Sequence, residues 1–410
     1  MHICFFNRSY WPDQAATGQL LTELAEDLVQ AHGCTVTVVA GRALHGADDG
    51  GRIQPFRRES HRGVTIVRAN GTRLRPRTFT GRATNYLTYF AASTLASFVV
   101  ERPDVVVSLT DPPIIGLAAL ATARRAGAKF VFLCEDIFPE VASLLEDFHS
   151  PVVNRALDRV NRHLLSEADA IVALGDRMKR RLVEEKGADA ADVHVIHNWA
   201  DCRAIAPGPK DNSFARAHGL ADRFVLMHSG NVGLSQNLDV LIEAAARLQS
   251  KERLVIAVVG DGAKRDALVS AASARGLSNM KFFPYQPKEQ LRESFAAADA
   301  FLISLKAGIE GYIVPSKLYG ILAAGRPFVA AVDPSSEVAT IALQSHCGVV
   351  AAPGDADDLA RAIAVLHDNP ELTRVMGEHA RRAAWQFDRR PAVQAYYTLF
   401  ASLPRLARAA

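Results

Sequence analysis

The sequence predicts an α/β protein of two halves, each a mainly parallel sheet with helices between its strands. Three observations carry the prediction. Short apolar runs of strand length alternate with amphipathic helical stretches along most of the chain. The alternation breaks at Pro207-Gly208-Pro209, a linker composition, and restarts at Phe224–His228. The 410 residues also exceed what one ordinary core organises.

In the first half, His2–Phe6 is a short apolar strand, followed by a loop holding Tyr10, Trp11, Pro12, Thr17 and Gly18. Leu20, Leu21, Leu24, Leu28 and Val29 then share one face of a helix over 19–31. Gly33 ends it, and Thr35–Ala40 is the next strand. Ligands of parallel sheets lie beyond the carboxyl ends of the strands. Gly18 therefore sits where backbone can approach a ligand; plain loop flexibility is the other reading. Val105–Leu109 and Lys129–Cys134 are further strands, and the latter runs into Glu135-Asp136-Ile137-Phe138-Pro139-Glu140. Asp136 is a candidate for catalysis or for orienting an acceptor. Strands at Ala170–Leu174 and Val193–Ile196, with a helix over Asp176–Glu185 between them, complete the half.

Arg52–Arg82 holds nine arginines, and Glu59 is its only acid. Directly after it, Tyr86–Val100 is apolar and aromatic but too short and hydroxyl-rich to span a bilayer. Arginines beside such a helix suit an anionic membrane surface or a lipid phosphate; a solvated loop is the alternative. No nucleic-acid-binding motif accompanies the charge.

The second half repeats the pattern. Phe224–His228, Leu254–Val259, Lys281–Phe283 and Ala300–Ser304 read as strands, with helices at Asn237–Leu248, Ala263–Ala274 and Leu291–Ala297. Gly230, Gly233, Gly260 and Gly262 follow strands, where backbone can approach phosphates. They form neither the G-x-G-x-x-G nor the G-x-x-x-x-G-K-[ST] pattern. With Lys264, Arg265 and Lys317 they point to a nucleotide diphosphate. The stretch Pro315–Pro327, PSKLYGILAAGRP, opens as a helix: Pro315 suits a first turn, and Ser316 can bond free amides there. Leu318, Ile321, Leu322 and Ala324 form its apolar face, and Gly325 stops it. Lys317 in the first turn favours a phosphate. Asp355-Ala356-Asp357-Asp358 resembles a metal-binding pair, but a helix cap explains it better. The apolar tail, with Trp385, Phe387, Tyr396, Tyr397 and Phe400, calls for a docking surface, and the first domain is a candidate.

The bulk properties exclude little. Net charge is +3, and half the residues are apolar. Five scattered cysteines without a C-x-x-C pair fit reduced structural thiols, not a disulfide frame or zinc site. No basic segment precedes a long apolar stretch at the start, so no signal peptide is expected and the reading is cytoplasmic, with peripheral attachment at the inner membrane face.

Taken together, ADAIVALGDRMKRRLVEE followed by VIHNWAD, HSGNVGLSQNLDVLIEAA, VVGDGAKRDAL, EGYIVPSKLYGILAAGRPFVAAV and CGVVAAPGDADDLARAI resemble a bacterial glycosyltransferase of family 4. The branch is that of colanic-acid and O-antigen fucosamine-type transferases. The resemblance covers nearly the whole chain. It implies the GT-B fold: two Rossmann-like domains facing a cleft, an acceptor domain over 1–205 and a nucleotide-sugar domain over 206–385. The terminal segment 386–410 would cross back to the first domain. It implies hexosyl transfer with retention from a nucleotide-diphosphate sugar, UDP-linked, without metal or other cofactor. The acceptor would be a saccharide or a polyprenyl-diphosphate-linked saccharide. The donor contacts implied are Gly18, Ser229, Gly230, Asn231, Gly262, Lys264, Gly311, Tyr312, Ile313, Pro315 and Ser316. Lys317 would take the phosphate charge, Glu310 the sugar hydroxyls, and Asp136 the acceptor.

The sequence departs from the family pattern where two glutamates eight positions apart are usual. Tyr312 and Gly320 stand there, and the second glutamate is the usual ribose contact. Gln236 stands where many members have a phosphate-binding lysine, leaving Lys317 as the main cation. A GT-B sugar-nucleotide epimerase and a two-domain sugar-binding protein share the architecture and remain alternatives.

Overall fold

The structure, a computed structural model, describes residues 1–13, 15–42, 56–72, 74, 79–145 and 150–403. Two compact units emerge: Met1–His197 with Ala392–Ala410, and Asn198–Pro391.

Eight strands form the sheet of the first unit: β1 His2–Phe6, β2 Thr35–Gly41, β3 Phe56–His61, β4 Val64–Ala69, β5 Val105–Ser108, β6 Lys129–Cys134, β7 Ala170–Ala173 and β8 Val193–Val195. Their order is β3-β4-β2-β1-β5-β6-β7-β8. Every pairing is parallel except β3 with β4. β1 is central and buried on both faces, which is why it reads as an unbroken apolar run. β3, FRRESH, is an antiparallel edge strand that the apolar pattern does not reveal. Its charges face water and guard an edge.

The apolar helix expected at Tyr86 begins seven residues earlier and spans Phe79–Ala96. In the tail, helix Arg389–Ser402 sets Phe400 edge-on to Phe5 and stacks Tyr397 on His32. Phe387, Tyr396 and Phe400 are buried as expected, whereas Trp385 is 48% exposed and carries Arg381 over its ring.

The second unit has six strands: β9 Phe224–Ser229, β10 Leu254–Val259, β11 Met280–Phe283, β12 Ala300–Ser304, β13 Phe328–Ala331 and β14 Gly348–Ala351. The order is β11-β10-β9-β12-β13-β14, parallel throughout. The helices return the chain to the starting edge, so all connecting loops after the strands gather at the carboxyl edge. Residues such as Leu241, Ile256, Leu302 and Ile363 fill one core. Asp355 is a helix cap, accepting from the amides of Asp357 and Asp358 at 2.9 Å. All five cysteines are buried free thiols.

Candidate active site

Two adjacent strands of the second unit, β9 and β10, end in loops that cross at backbone contact. Gly230, Gly260 and Gly262 take φ of 124°, 146° and 154°, values that side chains rarely tolerate. A Cβ on Gly260 would sit 1.9 Å from the Gly230 carbonyl oxygen, and one on Gly262 2.5 Å from that of Val232. The loops are tied by Val232 N–H to the Asp261 carbonyl at 2.9 Å and Lys264 N–H to the Val232 carbonyl at 3.0 Å. Ser229 ends β9, and Asn231 belongs to the first loop. Gln236 caps the turn after it, accepting from the Gly233 amide at 2.9 Å.

Lys317 opens the short helix Lys317–Ala323. Its Cε and Nζ lie 3.6 and 3.7 Å from where a Cβ on Gly230 would be, which places the lysine head directly against the first loop. Nζ is 3.3 Å from His228 Nε2, which is 3.2 Å from the Asn231 carbonyl oxygen. No carboxylate pairs with Lys317 among the described residues. Burial pulls its ammonium from 10.5 down to about 7. His228, almost wholly buried, is held neutral by burial and then by Lys317 beside it. An uncompensated ammonium against a backbone cradle is a site shaped for an anion. His228 went unread in the sequence because it is hidden in the apolar run FVLMHS.

Other expected contacts fare differently. Ser316 is the N-cap residue, but its side chain makes no capping hydrogen bond, and the helix it caps has only seven residues. Ser316 adopts a helical conformation, which carries its hydroxyl away from the free amides. Gly325 ends the helix with φ 63°, as expected. Pro315 lies just before the helix, its carbonyl accepting from Leu318 N–H at 3.2 Å. Glu310 and Ile313 close a tight turn through Gly311, whose φ is 78°, and Tyr312 N–H bonds the Ile309 carbonyl at 3.1 Å. Lys264 binds Asp239 at 3.0 Å, so its charge is already compensated. A Cβ on Gly320 would meet the Phe295 ring at 3.2 Å, an apolar setting for the missing ribose contact.

In the first unit, the carboxyl ends of the neighbouring strands β1, β5 and β6 assemble a polar group. Arg8 follows β1 and bonds Asp111, just beyond β5, with both carboxylate oxygens 3.2 Å from Nε. Asp136, just beyond β6, donates its amide N–H to the Thr110 hydroxyl oxygen at 3.3 Å. Burial, and then the charge of Asp111, raise the Asp136 carboxyl from 3.8 to about 7. A carboxyl poised there can exchange a proton near neutral pH. Arg8 and Asp111 were not singled out in the sequence; a charged residue two or three positions after each strand was the available signal. Gly18 lies in the first turn of helix Ala16–Gln30, where a Cβ would come 2.9 Å from Ser9 Oγ and 3.3 Å from the Tyr10 amide nitrogen. It serves close packing of its own loop.

Arg52, Arg73, Arg75 and Arg77 of the arginine-rich run lie outside the described residues. Arg57 and Arg68 pair with Glu59, at 3.3 and 2.5 Å, and Arg62 with Glu26 at 3.5 Å. Arg58 donates to the Val99 carbonyl. Much of the described charge is therefore engaged within the fold.

Residues 16–199 match the family model "Glycosyl transferase 4-like domain", and residues 211–383 match "Glycosyl transferases group 1". The chain belongs to the glycosyltransferases. WbjE of Pseudomonas aeruginosa, described as a probable glycosyltransferase, is 30% identical to the enzyme over 64% of this chain and 66% of its own. WcaI of Escherichia coli K12, described as a colanic acid biosynthesis glycosyl transferase, is 26% identical over 82% of this chain and 85% of its own. The crystal structure of Anabaena HepE with UDP-glucose superposes with a TM-score of 0.75 at 18% identity, over 98% of the enzyme and all of HepE. The enzyme thus has the GT-B architecture of two Rossmann-like units.

Proposed function

We propose that the enzyme transfers a hexose from a nucleotide diphosphate, UDP, to a saccharide or polyprenyl-diphosphate-linked acceptor in cell-surface polysaccharide assembly, O-antigen, capsule or exopolysaccharide. The observation that carries the donor reading is the unpaired Lys317 ammonium beside the crossed glycine loops. HepE, a structural neighbour, is described with UDP-glucose, and WcaI is named for colanic acid; both are consistent with this substrate class. The reaction runs with retention, by same-face displacement. The acceptor oxygen bonds to the anomeric carbon as the bond to the diphosphate oxygen breaks, and negative charge grows on the departing diphosphate. Lys317 and the amides near Gly230 and Asn231 oppose that charge. Glu310 holds sugar hydroxyls, Asp136 orients the acceptor hydroxyl, and no metal or other cofactor takes part.

The polyprenyl reading calls for a lipid surface, and one helix face supports it. Leu87, Leu95 and Phe98 are 59, 59 and 66% exposed at near-helical spacing, with exposed Ala91 between them. Arg125 lies over the Phe98 ring at 4.3 Å. No acidic residue occurs over 79–100. No helix among the described residues is long and apolar enough to cross a membrane; the attachment proposed is peripheral, at the inner face.

The test is a panel of nucleotide sugars incubated with and without polyprenyl-diphosphate saccharides. Nucleoside diphosphate release that requires the acceptor is expected. Epimerisation of donor alone would favour the epimerase. Flotation on vesicles containing anionic lipid should fall when Leu87, Leu95 and Phe98 are all changed to Ser; unchanged flotation removes the membrane contact.

A further inference from the structure

The second unit carries a cavity of about 580 Å³ unrelated to the glycine loops. Its walls include Arg326, Arg374, Arg381, Arg382, Asp299 and Glu378. Asp299 and Arg326 precede β12 and β13, so the cavity opens at the amino ends of these strands. The glycine loops follow the carboxyl ends of β9 and β10. One strand length, roughly 15 Å, separates the two edges.

Four guanidinium groups and two carboxylates leave a net charge of +2 (4 − 2) on the lining. Counting the outer partners, Lys210 on Asp299 and Glu371 on Arg374, leaves it at +2 (5 − 3). Arg374 is neutralised, since it bonds both Glu371 and Glu378. Arg381 is not, and Arg326 has beside it only the carboxylate of Asp299, which Lys210 already holds. Arg326 donates to the carbonyls of Gly208 and Ala296, and Arg381 to those of Cys202, Ile205 and Ala323. Carbonyl dipoles satisfy N–H groups without cancelling a charge. Arg382 is exposed and has no hydrogen-bond or ion-pair partner among the described residues. Arg326 Nε is buried with no acceptor, and such an atom calls for a missing partner. Arg381 and Arg382 also lie in the last turn of helix Pro370–Ala384, where cations complement the helix dipole. That accounts for those two arginines, but not for Arg326, which comes from another segment.

We propose that this cavity binds a small phosphorylated metabolite, of the size of a sugar phosphate, as a site separate from the donor site. The volume falls within the range of small-molecule pockets, and guanidinium groups match phosphate oxygens in pairs. Helix Lys317–Ala323 joins the two edges: Lys317 starts it, and Arg381 holds the Ala323 carbonyl at its end. The proposal is independent of what the Lys317 end binds.

The test uses the full chain and titrates glucose 1-phosphate and inorganic phosphate by calorimetry. Three proteins are compared: wild type, Arg382→Glu and Lys317→Ala. Trp385, under Arg381, gives a second readout by fluorescence. By the response of Trp385, beside this cavity, wild type and Lys317→Ala should bind alike, and Arg382→Glu should bind roughly tenfold or more weakly, the loss expected for one charged hydrogen bond; a calorimetric event that disappears only in Lys317→Ala belongs to the glycine loops. Circular dichroism checks that Arg382→Glu is folded; should it not be, Arg382→Gln replaces it. Absence of a wild-type Trp385 response up to about 10 mM, an equal response by the Arg382 variant, or loss of that response in Lys317→Ala instead would overturn the proposal.

Discussion

Replacing Lys317 with Met should make the protein more stable and the enzyme much slower. The lysine stem is retained in shape, while the ammonium is lost. Burial holds the ammonium at about 7, against 10.5 for a free lysine. At 1.36 kcal/mol per unit this corresponds to about 4 kcal/mol of strain at neutral pH, as an upper bound. Lys317 keeps some solvent contact, so a gain of about 2 kcal/mol is the working figure. The sign follows from proton counts: between pH 7 and 10.5 the unfolded chain holds the proton more tightly. Wild-type stability therefore rises with pH across that window, and the Met variant should lose this rise. On the proposed function, the same charge opposes that of the departing diphosphate. Its removal should lower kcat roughly 100-fold or more. Urea melts at pH 7 and pH 9.5, paired with steady-state turnover of a UDP-sugar, measure both. A variant as active as wild type, or one destabilised at both pH values, refutes the reasoning.

Four more expectations follow from the same geometry. Because the Lys317 ammonium must be present in the free enzyme, donor kcat/KM should fall with unit slope as pH rises above about 7. Asp136, raised to about 7, should give the opposing acid limb, so that activity peaks near neutrality; Asp136→Asn should remove that limb. Its raised carboxyl is a liability only once ionised, so Asp136→Asn should stabilise the protein by about 2 kcal/mol at pH 8 and far less below pH 4, read from denaturant midpoints. Gly260→Ala would put a methyl 1.9 Å from the Gly230 carbonyl oxygen; UDP-induced thermal shift should vanish while circular dichroism stays that of an α/β protein.

Much of the fold is legible in the sequence because buried parallel strands must be apolar along their whole length. Leu254–Val259 and Ala300–Ser304 appear in the structure with the boundaries read from the sequence. FRRESH was illegible for the converse reason, since an exposed edge strand has no apolar signature. Within the site, Lys317 was legible because a lysine in the first turn of a helix has few structural duties. Ser316 was misread because its hydroxyl type, not its backbone conformation, is visible in sequence. Lys264 looked available because its partner Asp239 lies 25 residues away, on a neighbouring helix. Arg8 and Asp111 were illegible as a pair for the same reason: their meeting depends on β1 and β5 being neighbours.

The crossing of the Gly230 and Gly260 loops means that the cradle is specified by missing atoms. Its shape is set chiefly by two stretches of main chain in contact, at glycines that offer no side chain to exchange. On the proposed function, what such a seat recognises is common to every nucleotide sugar. Choice among donors must then reside in residues at its margin, such as those around Glu310, which are free to vary while the seat is not. A change of sugar could therefore be engineered without touching the glycine loops, and libraries aimed at donor preference should leave positions 230, 260 and 262 alone.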